Sequence, residues 1–382
     1  MTMPTIIPKN LLKEMTTRRD GRRGRRGKNE DWLDDQEALD AVTADISESD
    51  ATKTPRDVKV IESRNRPIDC SDLFEALCAR ASVRSLSLVG VHLDENAARR
   101  LSETLRHPQT KIRVLQVWRH LPSCLGSLCE AIKENKELRE IRLTFHGDLN
   151  DEQTSMLLDA LETNQGLEAI KLFGVDLSRH SAELESLVRN RQITKELRLT
   201  RCQLSTISGL AKAISESNTL QTVDMSMNEL SNDADIATML QSKNLRSVIL
   251  SKNQLGKEEN GSTFGQVLAA NEMLEELFLE GNPLSTDFAA SIREALQVNT
   301  TLRRFGFMKS YMGKSITASV DTEIRNLVAL NQAGRRWLRA ASQSSTPASE
   351  LAVLPHLLQR SNDEHSVLFG VLREYTNLWV QP

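Results

Sequence analysis

A chain of 382 residues with 39% apolar and only 4% aromatic content must build an aliphatic core, and Leu supplies most of it. Its net charge of −3 excludes a whole-chain electrostatic attraction to nucleic acid or anionic lipid. The five cysteines (Cys70, Cys78, Cys124, Cys129 and Cys202) form no CxxC and have no His at metal-ligand spacing, so no metal site is expected.

Residues 1–54 stand outside any periodic pattern and are expected to form a disordered, charged tail. Lys9 to Lys28 hold nine basic and two acidic residues, among them Arg18, Arg19, Arg22, Arg23, Arg25 and Arg26 spaced by Gly21, Gly24 and Gly27. Asn29 to Asp50 then hold nine acidic residues and no basic one. The Arg/Gly cluster is a candidate nuclear-import signal or RNA-touching patch, and a plain solvated tail is the alternative. The start of the chain shows no apolar h-region, and no apolar run is long enough to span a membrane. A cytoplasmic setting with reduced thiols is expected, with the nucleus as the second site.

From residue 55 to 313 the chain repeats. Leu138-x-x-Ile141-x-Leu143 recurs as Leu167-x-x-Ile170-x-Leu172, Leu220-x-x-Val223-x-Met225 and Leu245-x-x-Val248-x-Leu250. Leu274-x-x-Leu277-x-Leu279 and Leu302-x-x-Phe305-x-Phe307 continue it, and weaker copies start at Val83, Ile112 and Thr194. The nine copies are 25 to 29 residues apart, and a degenerate tenth, Val58-x-Val60, stands upstream as a cap. Each copy puts apolar residues at alternate positions of a short strand. A helix follows, as at Asp151–Asn164 or Thr286–Asn299. Asn135, Asn164, Asn218, Asn271 and Asn299 are placed to stop helices in the left-handed conformation. One strand and one helix cannot bury their own apolar faces, so neighbouring units must stack into an α/β solenoid, with parallel strands on the concave side and helices on the convex side.

The pattern resembles the ribonuclease-inhibitor-like leucine-rich-repeat family over residues 58 to 312. The resemblance implies a horseshoe of helix-bearing units and a turn Asn, present here at Asn228, Asn253 and Asn282. Val91, His120, His146, Val175, Cys202 and Ser310 stand at that position elsewhere; Cys also occurs there in the family, and the Val and His copies imply looser turns.

Beyond residue 313 the period breaks. Residues 314–382 are expected to form a helical C-terminal region, with a long helix at Asp321–Ala341, a Ser/Thr/Pro linker at 342–349 and two short helices after it. A cap over the last unit's exposed core is one role for it. A docking box for a helical partner, such as a ubiquitin-ligase adaptor uses, is the other.

The chain lacks the motifs of catalysis. Gly313-Lys314-Ser315 ends like a phosphate-binding loop, but Met308 stands where the first Gly is required. The seven histidines are scattered, and no nucleophile elbow or metalloprotease motif occurs. No enzyme activity, cofactor or small-molecule substrate is expected.

Between the buried strand positions, one column should face solvent: Ser87, Gln116, Arg142, Lys171, Arg198, Asp224, Ile249, Phe278 and Gly306. Arg142, Lys171 and Arg198 would stack about 5 Å apart, the spacing of adjacent strands, with Glu140 and Glu196 partly neutralising them. Trp118 and Phe173, one column over, are expected to be exposed, and Arg201 lies beside them. A basic ladder flanked by aromatics suits a protein contact, because Trp and Arg dominate interface energetics. Glu276, Phe278 and Glu280 form a second, acidic-aromatic patch. A solvated strand face is the plain alternative.

The expected function is therefore a non-catalytic, monomeric binding module for a protein partner. Two further resemblances give alternatives. Ran GTPase-activating proteins share the repeat type, which implies small-GTPase regulation with Arg64 or Arg66 as candidate Arg donors. Asn299–Phe307 (NTTLRRFGF) resembles the final repeat of tropomodulins, which implies actin-filament capping.

Overall fold

The computed structural model describes residues 30–33, 39–40, 43, 56–61, 70–79, 83–91, 93–118, 125–145, 149–191, 193–257, 261–306, 318–333 and 335–336. Alternate apolar positions make one strand per repeat. These are β1 (Glu30–Leu33), β2 (Arg56–Ile61), β3 (Val83–Val89), β4 (Val114–Trp118), β5 (Glu140–Thr144) and β6 (Ala169–Phe173). They continue as β7 (Glu196–Thr200), β8 (Thr222–Asp224), β9 (Ser247–Ile249), β10 (Glu276–Phe278) and β11 (Arg304–Gly306). The eleven strands lie in chain order in one sheet, and every pairing is parallel.

Between strands run α1 (Ser71–Ala79), α2 (Glu95–Arg106), α3 (Leu125–Glu134), α4 (Asp151–Thr163) and α5 (Ser181–Asn190). They are followed by α6 (Ser208–Glu216), α7 (Asp233–Met239), α8 (Gly261–Ala270), α9 (Thr286–Val298) and α10 (Ala318–Ala333). Local chemistry starts several of them. Asp94 caps α2 by accepting from Ala97 N at 2.7 Å, and Asn150 forms a reciprocal capping box with Gln153 at the start of α4. Strands pack about 4.8 Å apart and helices about 8–10 Å, so a sheet backed by helices must curve with its strands inside.

Leu, Ile and Val from both layers fill the space between sheet and helices as one continuous core. The strand Leu positions, such as Leu143, Leu172 and Leu199, are at most 1% exposed. Two asparagine columns close the unit edges. In the turn after the strands, Asn253 Nδ2 donates to Met225 O at 3.0 Å and Leu250 O at 2.9 Å, while its Oδ1 accepts from Leu230 N at 3.1 Å. Asn228 and Asn282 repeat this arrangement. Cys202 occupies the same position fully buried, and Val91 and Val175 fill it with apolar side chains. His120, His146 and Ser310 lie outside the described residues.

The helix-end asparagines do a different job from the left-handed stop expected of them. Asn164 (φ −70°, ψ 108°) and Asn299 (φ −66°, ψ 128°) are extended. Their value is in the side chain: Asn164 Nδ2 donates to Asn135 O at 2.7 Å, and Asn299 Nδ2 donates to Asn271 O at 2.7 Å. Each amide thus stitches its unit to the one before. Asn218 is not in this column. Ser217 holds the position, accepting weakly from Thr219 N and Leu220 N. One unit earlier the position belongs to Arg191, 3% exposed, whose guanidinium donates to Leu161 O, Asn164 O and Leu167 O.

The sheet extends further toward the N-terminus than the repeat spacing indicates. The sheet begins inside the segment expected to be a disordered tail: β1 pairs with β2, and Leu39 is 1% exposed in the core. Asp31-Trp32-Leu33 and Leu39 carry apolar residues that the surrounding acidic block outweighs in a composition-based reading. Of the long helix expected at Asp321–Ala341, the part to Ala333 is observed within α10 (Ala318–Ala333), and residues 337–341 lie outside the described residues. This helix buries Ile324, Val328 and Leu330 over the last unit, and Asn331 Nδ2 continues the asparagine column to Asn299 O at 3.1 Å. The Ser/Thr/Pro linker, the two later helices and the Arg18–Arg26 cluster lie outside the described residues.

Candidate functional site: the concave sheet face

Pairing registers set the concave columns directly. Ser87, Gln116, Arg142, Lys171, Arg198, Asp224, Ile249, Phe278 and Gly306 face one another rung by rung across β3 to β11. The solvent-facing column expected from spacing is therefore the column observed, although Ser87, Asp224 and Gly306 are themselves buried.

The basic ladder is not a stack of bare like charges. Lys171 Nζ lies 2.7 Å from Glu140 Oε1 and 2.9 Å from Glu196 Oε2. Arg142 Nε lies 2.6 Å from the same Glu140 oxygen. Arg198 pairs with Glu196 and reaches Asp224 Oδ2 at 3.7 Å. Three cations and three carboxylates alternate in one chain, so the ladder carries no formal net charge. Burial works to raise both Glu carboxyls. Hydrogen bonds to Glu140 from Arg142 and Lys171, and to Glu196 from Lys171 and Arg198, outweigh it and hold both below the usual carboxylate range.

The aromatics sit lower than expected. Trp118 and Phe173 are half-buried at the C-terminal ends of β4 and β6, with Thr144 of β5 between them. Phe278 is also half-buried and lies three strands beyond Arg198, so it does not join the ladder. Its ring and the Glu280 carboxylate lie over Gly306, where any Cβ would collide with both. Glu280 also accepts from Ser251 Oγ at 2.7 Å, and Glu276 pairs with Arg304. Arg142, Lys171, Phe173 and Arg198 are thus brought together, Trp118 lies two rungs from Phe173, and Arg201 projects from the rim after β7.

Arg201 exposes a feature that spacing alone did not reveal. It has φ +55°, the left-handed region, as do Met227 (φ +60°) and Lys252 (φ +59°) in the next two units. Other units place Gly at this position, at Gly90, Gly174 and Gly281. The signal is visible in the sequence as the second residue after the last strand Leu, Gly in some units and bulky in others. Three successive units therefore hold strained, side-chain-bearing residues on the rim, Arg201 and Lys252 exposed.

Among the described residues, no group of three or more His, Cys, Asp or Glu could hold a metal ion, and no helix is long and apolar enough to cross a membrane.

A parallel sheet in chain order, backed by one helix per unit and closed by asparagine turns, is an α/β solenoid of the leucine-rich-repeat kind. Its sequence is similar to curated ribonuclease inhibitors. It is 26% identical over 204 residues to that of Mus musculus (49% of this chain, 43% of that protein). It is 26% identical over 224 residues to that of Sus scrofa (56% and 49%). The chain spans about half the length of these relatives. Among solved structures, the tropomodulin C-terminal domain of Caenorhabditis elegans matches 56% of this chain and 98% of its own, at 13% identity and a TM-score of 0.29. No family profile matches the chain.

Proposed function

We propose that the chain is a non-catalytic module that holds a protein partner across its concave face. The observation that carries this reading is the pairing register, which gathers Arg142, Lys171, Arg198 and the half-buried Phe173 on adjacent rungs of β5 to β7. Side chains already fixed by ion pairs lose less freedom on binding, so the patch is preorganised for a contact. Trp118 and Arg201 extend it to either side, and Phe278 is a separate anchor further along the sheet. A broad curved sheet face suits a protein surface better than a small molecule. The similarity to ribonuclease inhibitors supports an inhibitory or scaffolding role in the cytoplasm.

Affinity capture with cross-linking from native lysate tests this, using the full chain beside an Arg142→Glu/Arg198→Glu variant and a Phe173→Glu variant. Circular dichroism confirms that each folds. A specific protein held by the wild type and lost with both variants is the expected result. Capture of the same set by all three would overturn the assignment to this face.

A further inference from the structure

The concave ladder is neutral, yet a second row of cations at the edge of the same sheet is not. Arg113 N donates to Arg84 O at 2.7 Å, and Arg139 N donates to Arg113 O at 2.8 Å. These bonds place Arg84, Arg113 and Arg139 on three consecutive rungs, about 5 Å apart at the backbone. Arg84 and Arg113 are exposed, and neither forms an ion pair with any described residue. Arg139 spends one guanidinium nitrogen on the carbonyls of Lys136 and Leu138 and stands 3.9 Å from Glu168. That carboxylate is already held by Lys195 at 2.7 Å. Exposed Lys111 and Lys136 add two charges beside the row, with Glu137 4.0 Å from Lys111 and Glu134, already paired with Arg106, in the same cleft as Lys136. Like charges at this spacing repel, and among the described residues no carboxylate pairs with Arg84 or Arg113.

We propose that Arg84, Arg113 and Arg139, with Lys111 and Lys136, form an edge site for an extended acidic segment of a partner protein. Charge complementarity names the ligand: guanidinium groups in a row can each donate to a carboxylate, and their long side chains absorb any mismatch with the residue spacing of an extended peptide. Ile193 supplies an apolar anchor. It is one of the few large apolar side chains exposed among the described residues, at 39%, and lines a cleft with Lys136, Arg139 and Gly166. A single-stranded nucleic acid would need aromatic faces for its bases. The aromatics of these units, Trp118 and Phe173, lie at the opposite ends of their strands, about 16 Å away. The site is separate from the concave ladder and stands or falls independently of it.

Fluorescence anisotropy on the full chain tests the proposal. The probes are a labelled synthetic peptide of alternating Glu and Ser with one central Leu, and a labelled thymidine oligonucleotide of equal net charge, both at low salt. Wild type is expected to bind the peptide more tightly than the oligonucleotide. Arg84→Glu/Arg113→Glu should weaken peptide binding by about tenfold or more, and Arg84→Gln/Arg113→Gln by less. Arg142→Glu/Arg198→Glu, a charge change of equal size further along the strands, should weaken it much less. Both edge pairs are solvent-exposed, so circular dichroism should match the wild type. The proposal is overturned if wild type does not bind the peptide, if both double-Glu variants weaken it equally, or if the oligonucleotide binds more tightly.

Discussion

The Lys171 ammonium lies 2.7 Å from the Glu140 carboxylate of the neighbouring strand. With Glu196 at 2.9 Å on the other side, Lys171 is the central cation of the concave network. Lys171→Met is expected to cost about 1–2 kcal/mol at neutral pH, between the values for exposed and buried ion pairs. Both carboxyls have folded pKa values below their ordinary 4.5. Their contribution to stability is therefore complete above that value and is lost as pH falls through the lower folded values. Urea titrations of both proteins at neutral pH and at successively lower pH should show the difference shrinking below pH 4.5. A difference independent of pH would mean that the network contributes packing rather than charge.

Asn253 satisfies two carbonyls and one amide that no water reaches. Asn253→Ala removes the partner of each and is expected to cost about 2–3 kcal/mol, because unpaired buried polar groups carry their full desolvation penalty. Equilibrium urea unfolding measures this, and hydrogen exchange at Leu230 N should rise with it.

The repeat was legible because burial imposes it: each strand must point Leu, Ile or Val inward, and the interval between copies follows from one strand plus one helix. The concave column could be counted residue by residue for the same reason. Charge was less legible. Spacing placed Arg142, Lys171 and Arg198 on adjacent rungs, but only the structure shows Glu140 and Glu196 each bridging two cations. Arg84 and Arg113 lie before the alternating strand positions, and their significance rests on the ion-pair partners they lack among the described residues. At the N-terminus, an acidic composition masked the few apolar residues that extend the sheet to β1.

Arg191 replaces an asparagine and spans three carbonyls of the preceding unit. Burial pushes its guanidinium pKa down to about 10, with Glu162 acting weakly the other way, so it stays charged at neutral pH. Arg191→Asn should retain part of this capping and Arg191→Ala none. The expected order of stability is wild type, then Asn, then Ala, with the Ala variant about 2–3 kcal/mol below wild type. Thermal unfolding of the three proteins checks the order, and an Ala variant as stable as wild type would remove any capping role.

Cys129 and Cys202 are fully buried, and burial pushes both thiols up to about 12. Thiolate is the reactive form, so neither should react with iodoacetamide at neutral pH in the folded chain. Mass spectrometry after alkylation should find both unmodified until urea unfolds their units. Labelling of Cys202 in native buffer would mean that β7 and its turn open far more readily than a core strand should.

Arg201 and Met227 hold left-handed backbone conformations that Gly adopts without steric cost. If only the backbone mattered, Gly would serve at both positions, as it does at Gly174 and Gly281. Arg201→Gly and Met227→Gly are each expected to change stability by less than about 1 kcal/mol, because relief of strain offsets the greater freedom of Gly in the unfolded chain. Replacing either by Val, which resists the left-handed region, should destabilise by more than 1 kcal/mol, roughly, through backbone strain. Capture of the concave-face partner separates the two roles of these side chains. Arg201→Gly should fold as well as wild type and yet hold the partner more weakly, because the rim loses its charge while the backbone relaxes. Full retention of the partner by Arg201→Gly would confine the contact to the strands themselves.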